Sequence, residues 1–469
     1  MTIYEADWVC PISSYPIRNG KLAVDNGKIV PLPLGEGGRA REARARAERK
    51  RDSAQPQETV EALIKGAPGE GHNLVTFPGC AIIPGFVNAH SHLELTILRG
   101  FLEDLSFTDW IPRLTRTKYQ HLTRDELLAS ASLGCVEMIR AGVTCLGEVM
   151  DLGTAWQAMR QFGLQGIAYQ EVFGPAESQA DEAIADLQKK IDAYRPAQTD
   201  TLRLGVSPHA PYTVSPKLFQ AVNRFAEQES LRMTTHIAES EDEGMFVRWS
   251  AGVFAKRWAE RGIALVPAGC SPLAYLNGLG LLRPEMLLVH AINLEDTDFD
   301  LLRSKQPALV HCPKSNAKLA HGVARMPEIR DTGITIGLGT DSVASNNVVD
   351  MFEEMRAAIF QQRARTKQLD AINAESAFRM ATLGGAECLG LSKLLGSLDP
   401  GKRADFVVID LTDPAVQPVY DPITAMVYSA SRHNVRATFI GGREMRVDSK
   451  DLIEECAAIA ERLMGLHKK

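Results

Sequence analysis

The chain lacks most of what would send it to a membrane, a nucleic acid or an oxidising compartment. Among its 469 residues no apolar run reaches the ~20 needed to span a bilayer. The first residues, Met1-Thr-Ile-Tyr-Glu-Ala-Asp-Trp8, carry an early acidic pair in place of a basic-then-apolar pattern, so no signal peptide is expected. Cations are not in excess: 52 Lys and Arg stand against 58 Asp and Glu, a formal net charge of −6. Neither nucleic acid nor an anionic membrane is therefore an expected partner. The eight cysteines are scattered and no two form a CxxC pair, which argues against both a disulfide framework and a Cys-type zinc site. Buried free thiols in a reducing cytoplasm are the expectation. Hydrophobic content of 45% and charged content of 23% are those of an ordinary globular enzyme.

What is present is organised in three stretches. Residues 1–80 open with alternating apolar and polar positions around Asn19-Gly20 and Asn26-Gly27, which reads as short hairpins. Within them, 35–58 is rich in Arg, Ala and Glu with almost no large apolar side chain, and is expected to be a solvated, flexible insertion. Residues 81–392 alternate short apolar runs with amphipathic segments such as Asp125–Ala141, Gln179–Tyr194 and Pro216–Glu229. Eight runs can be counted: Ile82–Ala89, Val143–Val149, Gln165–Phe173, Leu202–Ser207, Arg232–Ile237, Met286–Ala291, Ala308–His311 and Ile334–Gly339. Strand-then-helix alternation implies parallel strands, and eight repeats predict an α/β fold, a (β/α)8 TIM barrel. Residues 393–469 return to strand patterning before a final helix over Leu452–Leu466. The simplest assembly joins the strands of both termini into a small β-sandwich beside the barrel.

Six of the eleven histidines, His90, His92, His209, His236, His290 and His311, lie at or just past the end of a predicted strand. In this fold the active site is built at that end. His90 and His92 are two apart, so in an extended chain both rings share one face, ~7 Å apart along the strand. Thr234-Thr-His-Ile-Ala-Glu-Ser240 adds a third imidazole, His236, and Leu338-Gly-Thr-Asp-Ser342 adds Asp341. Three neutral imidazoles and a carboxylate, with room for water, make a catalytic metal site. One divalent ion is expected, with zinc first and iron as the alternative. Strand four, Leu202–Ser207, carries no lysine that could bridge two metals, which favours a single ion. Glu239 suits the role of proton shuttle, unless it is a solvent-facing member of the acidic run Glu239–Glu243. Asp341 can hold both the ion and its water, and His290 reads as a donor to water or to a developing oxyanion.

These residues, with Pro84-Gly-Phe-Val-Asn-Ala-His-Ser-His92, Ser207-Pro-His-Ala-Pro-Tyr212, His311-Cys-Pro-Lys-Ser-Asn316 and Leu398-Asp-Pro-Gly-Lys-Arg-Ala-Asp405, resemble the amidohydrolase superfamily nearly end to end. Within it they resemble the cytosine deaminase and chlorohydrolase-like branch. That branch holds methylthioadenosine/S-adenosylhomocysteine, aminodeoxyfutalosine and guanine deaminases and triazine hydrolases. The resemblance implies metal binding by His90, His92, His236 and Asp341, catalysis by Glu239 and His290, and a substrate-facing His209. Leu98–Trp110 looks most like the adenosine-analogue deaminases, with Trp110 a substrate contact, and the carboxylate of aminodeoxyfutalosine would call for an arginine, for which Arg99 and Arg113 are the candidates. In methylthioadenosine/S-adenosylhomocysteine deaminases a glutamate before a Leu-Thr pair is expected to hold the ribose. Here Tyr119-Gln-His121 precedes Leu122-Thr123 instead. His92-Leu-Glu-Leu95 looks like aminodeoxyfutalosine deaminases of menaquinone biosynthesis, so Glu94 reads either as a recognition carboxylate or as a structural ion-pair partner. Ser315 and Asn316 look like loop-shaping residues. The implied activity is hydrolytic deamination of an adenine nucleoside, aminodeoxyfutalosine first. Methylthioadenosine, S-adenosylhomocysteine or adenosine, and guanine or a triazine, are the alternatives. A homodimer is common among the proteins it resembles.

Overall fold

A computed structural model describes residues 1–32 and 72–467; the expected insertion at 35–58 lies outside them. Eight parallel strands follow one another in sequence order: β5 (Phe86–Ser91), β6 (Val143–Met150), β7 (Gln165–Val172), β8 (Leu202–Pro208), β9 (Arg232–Ile237), β10 (Met286–His290), β11 (Ala308–His311) and β12 (Ile336–Leu338). Each is covered on both faces, which is why the sequence shows continuous apolar runs there and no clean alternation. Every residue of β6 and β7 is buried. Helices return the chain between strands, and their starts are marked by caps. Thr123 and Glu126 form a reciprocal capping box before Arg124–Arg140, and the Ser215 hydroxyl accepts from the Leu218 amide before Pro216–Gln228.

The first and last strands close the ring. The Asp341 amide donates to the His90 carbonyl at 3.0 Å, and Ser91 bridges Asp341 in parallel register. Asn88 reinforces the seam: its amide group donates to Thr340 Oγ1 at 2.7 Å and accepts from the Thr340 amide at 2.9 Å. Two glycines let neighbouring backbones approach β5. A Cβ at Gly147 would lie 2.1 Å from the Ala89 carbonyl oxygen, and one at Gly339 would lie 2.9 Å from the His90 Cβ.

The termini meet in a seven-stranded sheet, ordered β15-β14-β13-β4-β1-β2-β3. Its members are β1 (Thr2–Val9), β2 (Ile17–Asp25), β3 (Lys28–Val30), β4 (Asn73–Pro84), β13 (Phe406–Asp410), β14 (Val435–Ile440) and β15 (Arg443–Glu444). The sheet curls on itself. The Ile29 amide donates to Lys402 O at 2.8 Å, and the Gly401 amide returns a bond to Ile29 O at 2.8 Å. Tyr4, Phe406 and Phe439 pack inside the curl.

Two expected boundaries move. The apolar run Ile82–Ala89 is two strands, because β4 continues to Pro84 and the barrel begins at Phe86. Gly85 makes the break, where a Cβ would meet the Thr144 side chain at 2.2 Å. The last helix, Lys450–His467, packs on the barrel side and not within the terminal sheet: Cys456, Ile459 and Leu463 share a cluster with Leu95, Ile97 and Trp110. All eight cysteines are free. No helix among the described residues is long and apolar enough to cross a membrane.

The substitution Gly147→Ala tests the close approach behind His90. Overpacking a rigid core costs about 1–3 kcal/mol. Thermal melting should show a lowered Tm, and an unchanged Tm would mean that β5 and β6 yield freely.

Candidate metal and active site

Barrel closure brings the strand ends, and with them the histidines, to one mouth. The His90 ring centroid lies 4.9 Å from that of His92 and 5.0 Å from that of His236. Asp341 Oδ1 sits 3.4 Å from His90 Nε2 and 3.5 Å from His92 Nε2. The donor atoms of His90, His92 and Asp341 lie within 4.8 Å of one another, as do those of His90, His236 and His290.

Each ring is aimed by a second contact. His236 Nδ1 lies 2.9 Å from the His209 carbonyl oxygen, an acceptor only, so it carries the proton and Nε2 is left with a lone pair toward the cluster. Asp341 Oδ2 accepts from the Ser315 hydroxyl at 2.6 Å and the Ser345 hydroxyl at 3.1 Å, which turns Oδ1 to the imidazoles. Behind His92, Glu148 accepts from the Ser91 hydroxyl and the Leu93 amide, both at 2.6 Å, pinning the chain on either side of the ring. His90 Nε2 is buried without a hydrogen-bond partner. A buried, unpartnered nitrogen is costly unless something coordinates it. Burial, with His90 next in effect, holds His92 well below the usual imidazole value. Burial also lowers His236, aided by His209, so both are neutral, as ligands must be. Burial works against an ionised Asp341, yet His90, His290 and His92 keep it well below the carboxylate range. The donor set therefore fits a divalent ion.

Glu239 follows β9 and is not a solvent-facing member of its acidic run, being only 5% exposed. Its Oε1 lies 3.6 Å from His290 Nε2 and 3.4 Å from His321 Nε2. Burial raises its pKa, but His290 and His321 bring it below the ordinary carboxylate value. Glu243, the last acid in the run, is buried and accepts from the amides of Ala238 and Glu239 at 2.9 and 2.8 Å. His290 Nδ1 meets Asn316 Oδ1 at 2.9 Å, leaving Nε2 toward Glu239. Ser315 and Asn316 thus touch Asp341 and His290 directly, where the sequence suggested only a loop role. Ala238, His290, Ala291 and Asp341 all take positive φ, between 48° and 75°. Such backbone costs on the order of 1–3 kcal/mol per residue and collects at functional sites.

The remaining sequence candidates separate. His209 stands beside the cluster, its ring 4.8 Å from His236 and its pKa pushed down to about 4 by burial. Trp110 is buried in the apolar layer over the mouth with its indole Nε1 unpartnered. Arg99 is engaged with Glu137 and does not join the site. Glu94 does not either. Its carboxylate accepts from the amides of Asp151, Leu152 and Thr154 and from the Thr154 hydroxyl, at the start of helix Thr154–Phe162, and pairs with Lys118 Nζ at 3.0 Å. A buried anion on a helix N-terminus is an architectural arrangement, and it corrects the recognition reading. His311 is buried at the end of β11, outside these donor sets.

The sequence reading missed three residues. His321 lies in a loop and not at a strand end. Glu148 and Glu171 lie inside strands that read as apolar, and their direction into the barrel depends on pleat and register. Glu171 is buried, with Oε1 unpartnered, and burial pushes its pKa up to about 8 against the pull of Lys118.

A (β/α)8 barrel with imidazoles and a carboxylate gathered at its C-terminal mouth defines a metal-dependent hydrolase. The sequence profile of the amidohydrolase family matches residues 81–445, and the chain belongs to that family, whose members act on carbon–nitrogen bonds and include deaminases. It is 36% identical over 399 residues to a 5-methylthioadenosine/S-adenosylhomocysteine deaminase of Nitratidesulfovibrio vulgaris, covering 84% of this chain and 85% of the relative. It is 31% identical over 409 residues to a 5'-deoxyadenosine deaminase of Methanothermobacter thermautotrophicus, covering 85% and 91%. The fold is similar to that of an adenosine deaminase from Xanthomonas campestris with bound zinc, at a TM-score of 0.80 and 28% identity over 99% and 98% of the two chains.

Two substitutions check these assignments. Ser315→Ala removes the shorter of the two hydrogen bonds on Asp341 Oδ2 and is expected to weaken metal affinity by about 10- to 100-fold, read by competition with a chelating dye. Unchanged affinity would remove Ser315 from the site. Glu94→Ala strips buried Lys118 of the nearer of its two carboxylates, leaves three amides uncapped and should cost about 3–5 kcal/mol in denaturant unfolding. A fully stable variant would contradict the architectural role.

Proposed function

We propose that this chain hydrolyses the 6-amino group of an adenine nucleoside, and that adenosines modified at the 5' position are its substrates. The observation that carries the reading is the buried Glu239 carboxylate between His290 and His321, beside three imidazoles and Asp341. The likeness to methylthioadenosine/S-adenosylhomocysteine and 5'-deoxyadenosine deaminases supports the substrate class.

His90, His92, His236 and Asp341 would hold one divalent ion, zinc in the first instance and iron as the alternative. Bound there, the ion supplies a water whose pKa is lowered toward neutrality. The chain's own groups do the rest. Glu239, ionised at neutral pH, accepts a proton from the attacking water on a carboxylate oxygen and delivers it to the purine ring nitrogen; the second proton of that water passes to the amino group, which departs as ammonia as the carbon–nitrogen bond breaks and the C6 carbonyl forms. His290, its Nδ1 proton fixed on Asn316, turns Nε2 to Glu239 3.6 Å away, where the ring holds the carboxylate whenever Nε2 carries a proton. His321 borders the same oxygen from the other side. The layer formed by Phe107, Trp110 and Leu95 restricts water, which strengthens each of these interactions.

Aminodeoxyfutalosine is also an adenine nucleoside and stays within the proposed class. The feature of the sequence that pointed to it in particular was Glu94, and that carboxylate is engaged inside the fold.

The test is ammonia release and the ultraviolet change from adenine to hypoxanthine. The panel is adenosine, 5'-deoxyadenosine, 5'-methylthioadenosine, S-adenosylhomocysteine, aminodeoxyfutalosine, guanine and a chlorotriazine. Turnover confined to guanine or the triazine, or no turnover of any purine nucleoside, would sink the proposal. Glu239→Gln should lower kcat by about 10²- to 10⁴-fold on the preferred nucleoside, with metal content and Tm unchanged.

A further inference from the structure

We propose that Glu171, together with His209, is the part of the site that reads the hydroxyl groups of the nucleoside sugar. The inference rests on the adenine-nucleoside reading above and adds to it the residues that decide which sugars are accepted.

The chemistry occupies one sector of the barrel mouth. The proposed metal ligands come from β5, β9 and the end of β12, and the proton-handling groups follow β9 and end β10. The adjoining sector, formed by β7 and β8, is left for the part of the substrate that does not react. Two polar side chains face each other there. Glu171, at the penultimate position of β7, is 93% buried as a side chain, and its Oε1 lies 4.0 Å from His209 Nε2 just past β8.

The two groups do not satisfy each other. The Thr213 hydroxyl donates to the Ala210 carbonyl at 3.1 Å, so it accepts from His209 Nδ1, 2.8 Å away. That places the His209 proton on Nδ1 and leaves Nε2 an acceptor. Glu171 Oε1 has no hydrogen-bond partner, and 4.0 Å is too long for a direct bond to His209. A buried carboxyl oxygen and an imidazole lone pair thus confront each other without a donor between them. Leaving such groups unpaired is costly, and a ligand that pairs them is favoured over one that does not.

The geometry selects the kind of group that fits. An N–H can only donate, and an apolar edge does neither. A hydroxyl accepts from a protonated Glu171 while donating its single hydrogen to His209 Nε2, and it donates that hydrogen to the carboxylate when Glu171 is ionised. In an adenine nucleoside the hydroxyls belong to the sugar, away from the reacting amino group. No other nearby carboxylate is as free: Glu94 is taken up by three amides and a hydroxyl, and Asp151 lies 3.4 Å from Lys118 Nζ and accepts from the Tyr119 hydroxyl.

The experiment compares adenosine with 2'-deoxyadenosine and 3'-deoxyadenosine, using the metal-loaded full chain, wild type and with Glu171→Ala or Glu171→Gln. Wild type is expected to lose at least about tenfold in kcat/KM on one of the deoxy analogues, because a site built to hydrogen-bond a hydroxyl rejects the analogue lacking it. Glu171→Ala should lower kcat/KM for adenosine by a similar factor, mainly through KM, and leave that deoxy analogue nearly unaffected. The preference then collapses to within about twofold. Glu171→Gln, which keeps shape and one acceptor, should fall between. Equal loss on adenosine and both deoxy analogues would assign Glu171 to the shape of the site and overturn the inference. So would wild-type turnover that ignores both hydroxyls, a result needing no variant. If wild type is silent on every nucleoside, the functional reading itself fails and this inference goes with it. Activity without sugar discrimination defeats this inference alone.

Discussion

The structure depends on the closure of the barrel at one seam. The bond from the Asp341 amide to the His90 carbonyl joins first strand to last, and it is made at the residues that carry two of the proposed metal-binding side chains. Backbone pairing and ligand geometry are therefore a single constraint. His90 and His92 project from the first strand, Asp341 turns in with positive φ, and the Asn88–Thr340 pair holds the register on which both depend. A slip of one residue at this seam would turn the side chains to the other face. Gly147 and Gly339 belong to the same constraint, since they let neighbouring strands press against β5.

Around that seam the polar groups are arranged in layers of decreasing freedom. Ser315 and Ser345 orient Asp341, the His209 carbonyl orients His236, Asn316 orients His290, and Glu148 grips both flanks of His92. Each supporting atom has little option but the bond it makes, because the surroundings are dry and an unmade bond is costly. Two of the atoms left unpartnered lie where a ligand would meet them. His90 Nε2 points to coordination and Glu171 Oε1 to recognition. The other acids near the mouth, Glu94 and Glu243, are occupied by backbone amides and act as internal caps.

Much of this was legible in the chain. The eight apolar runs, and the histidines placed at their ends, identify the barrel and its active face, because strand burial and strand-end chemistry both leave one-dimensional marks. His90, His92, His236 and Asp341 come together where the strand order requires. The boundary at Gly85 was not legible, since two buried strands in succession look like one apolar run. The packing of the terminal helix on the barrel was not legible either: its amphipathic pattern states that one face is covered, not by what.

By itself, then, the sequence determined the fold class, the histidines and aspartate that gather at the barrel mouth and the class of hydrolytic chemistry, all of which follow from periodicity and from residue type at strand ends. Tertiary structure alone decided which acids are free to act. Glu94, Glu148, Glu171 and Glu239 are the same residue type in comparable stretches of chain. One caps a helix, one pins a histidine, one faces His209 unpaired and one lies against His290. The difference is which amides and imidazoles the closed barrel brings within hydrogen-bond distance, and that is fixed by contacts far apart in the chain.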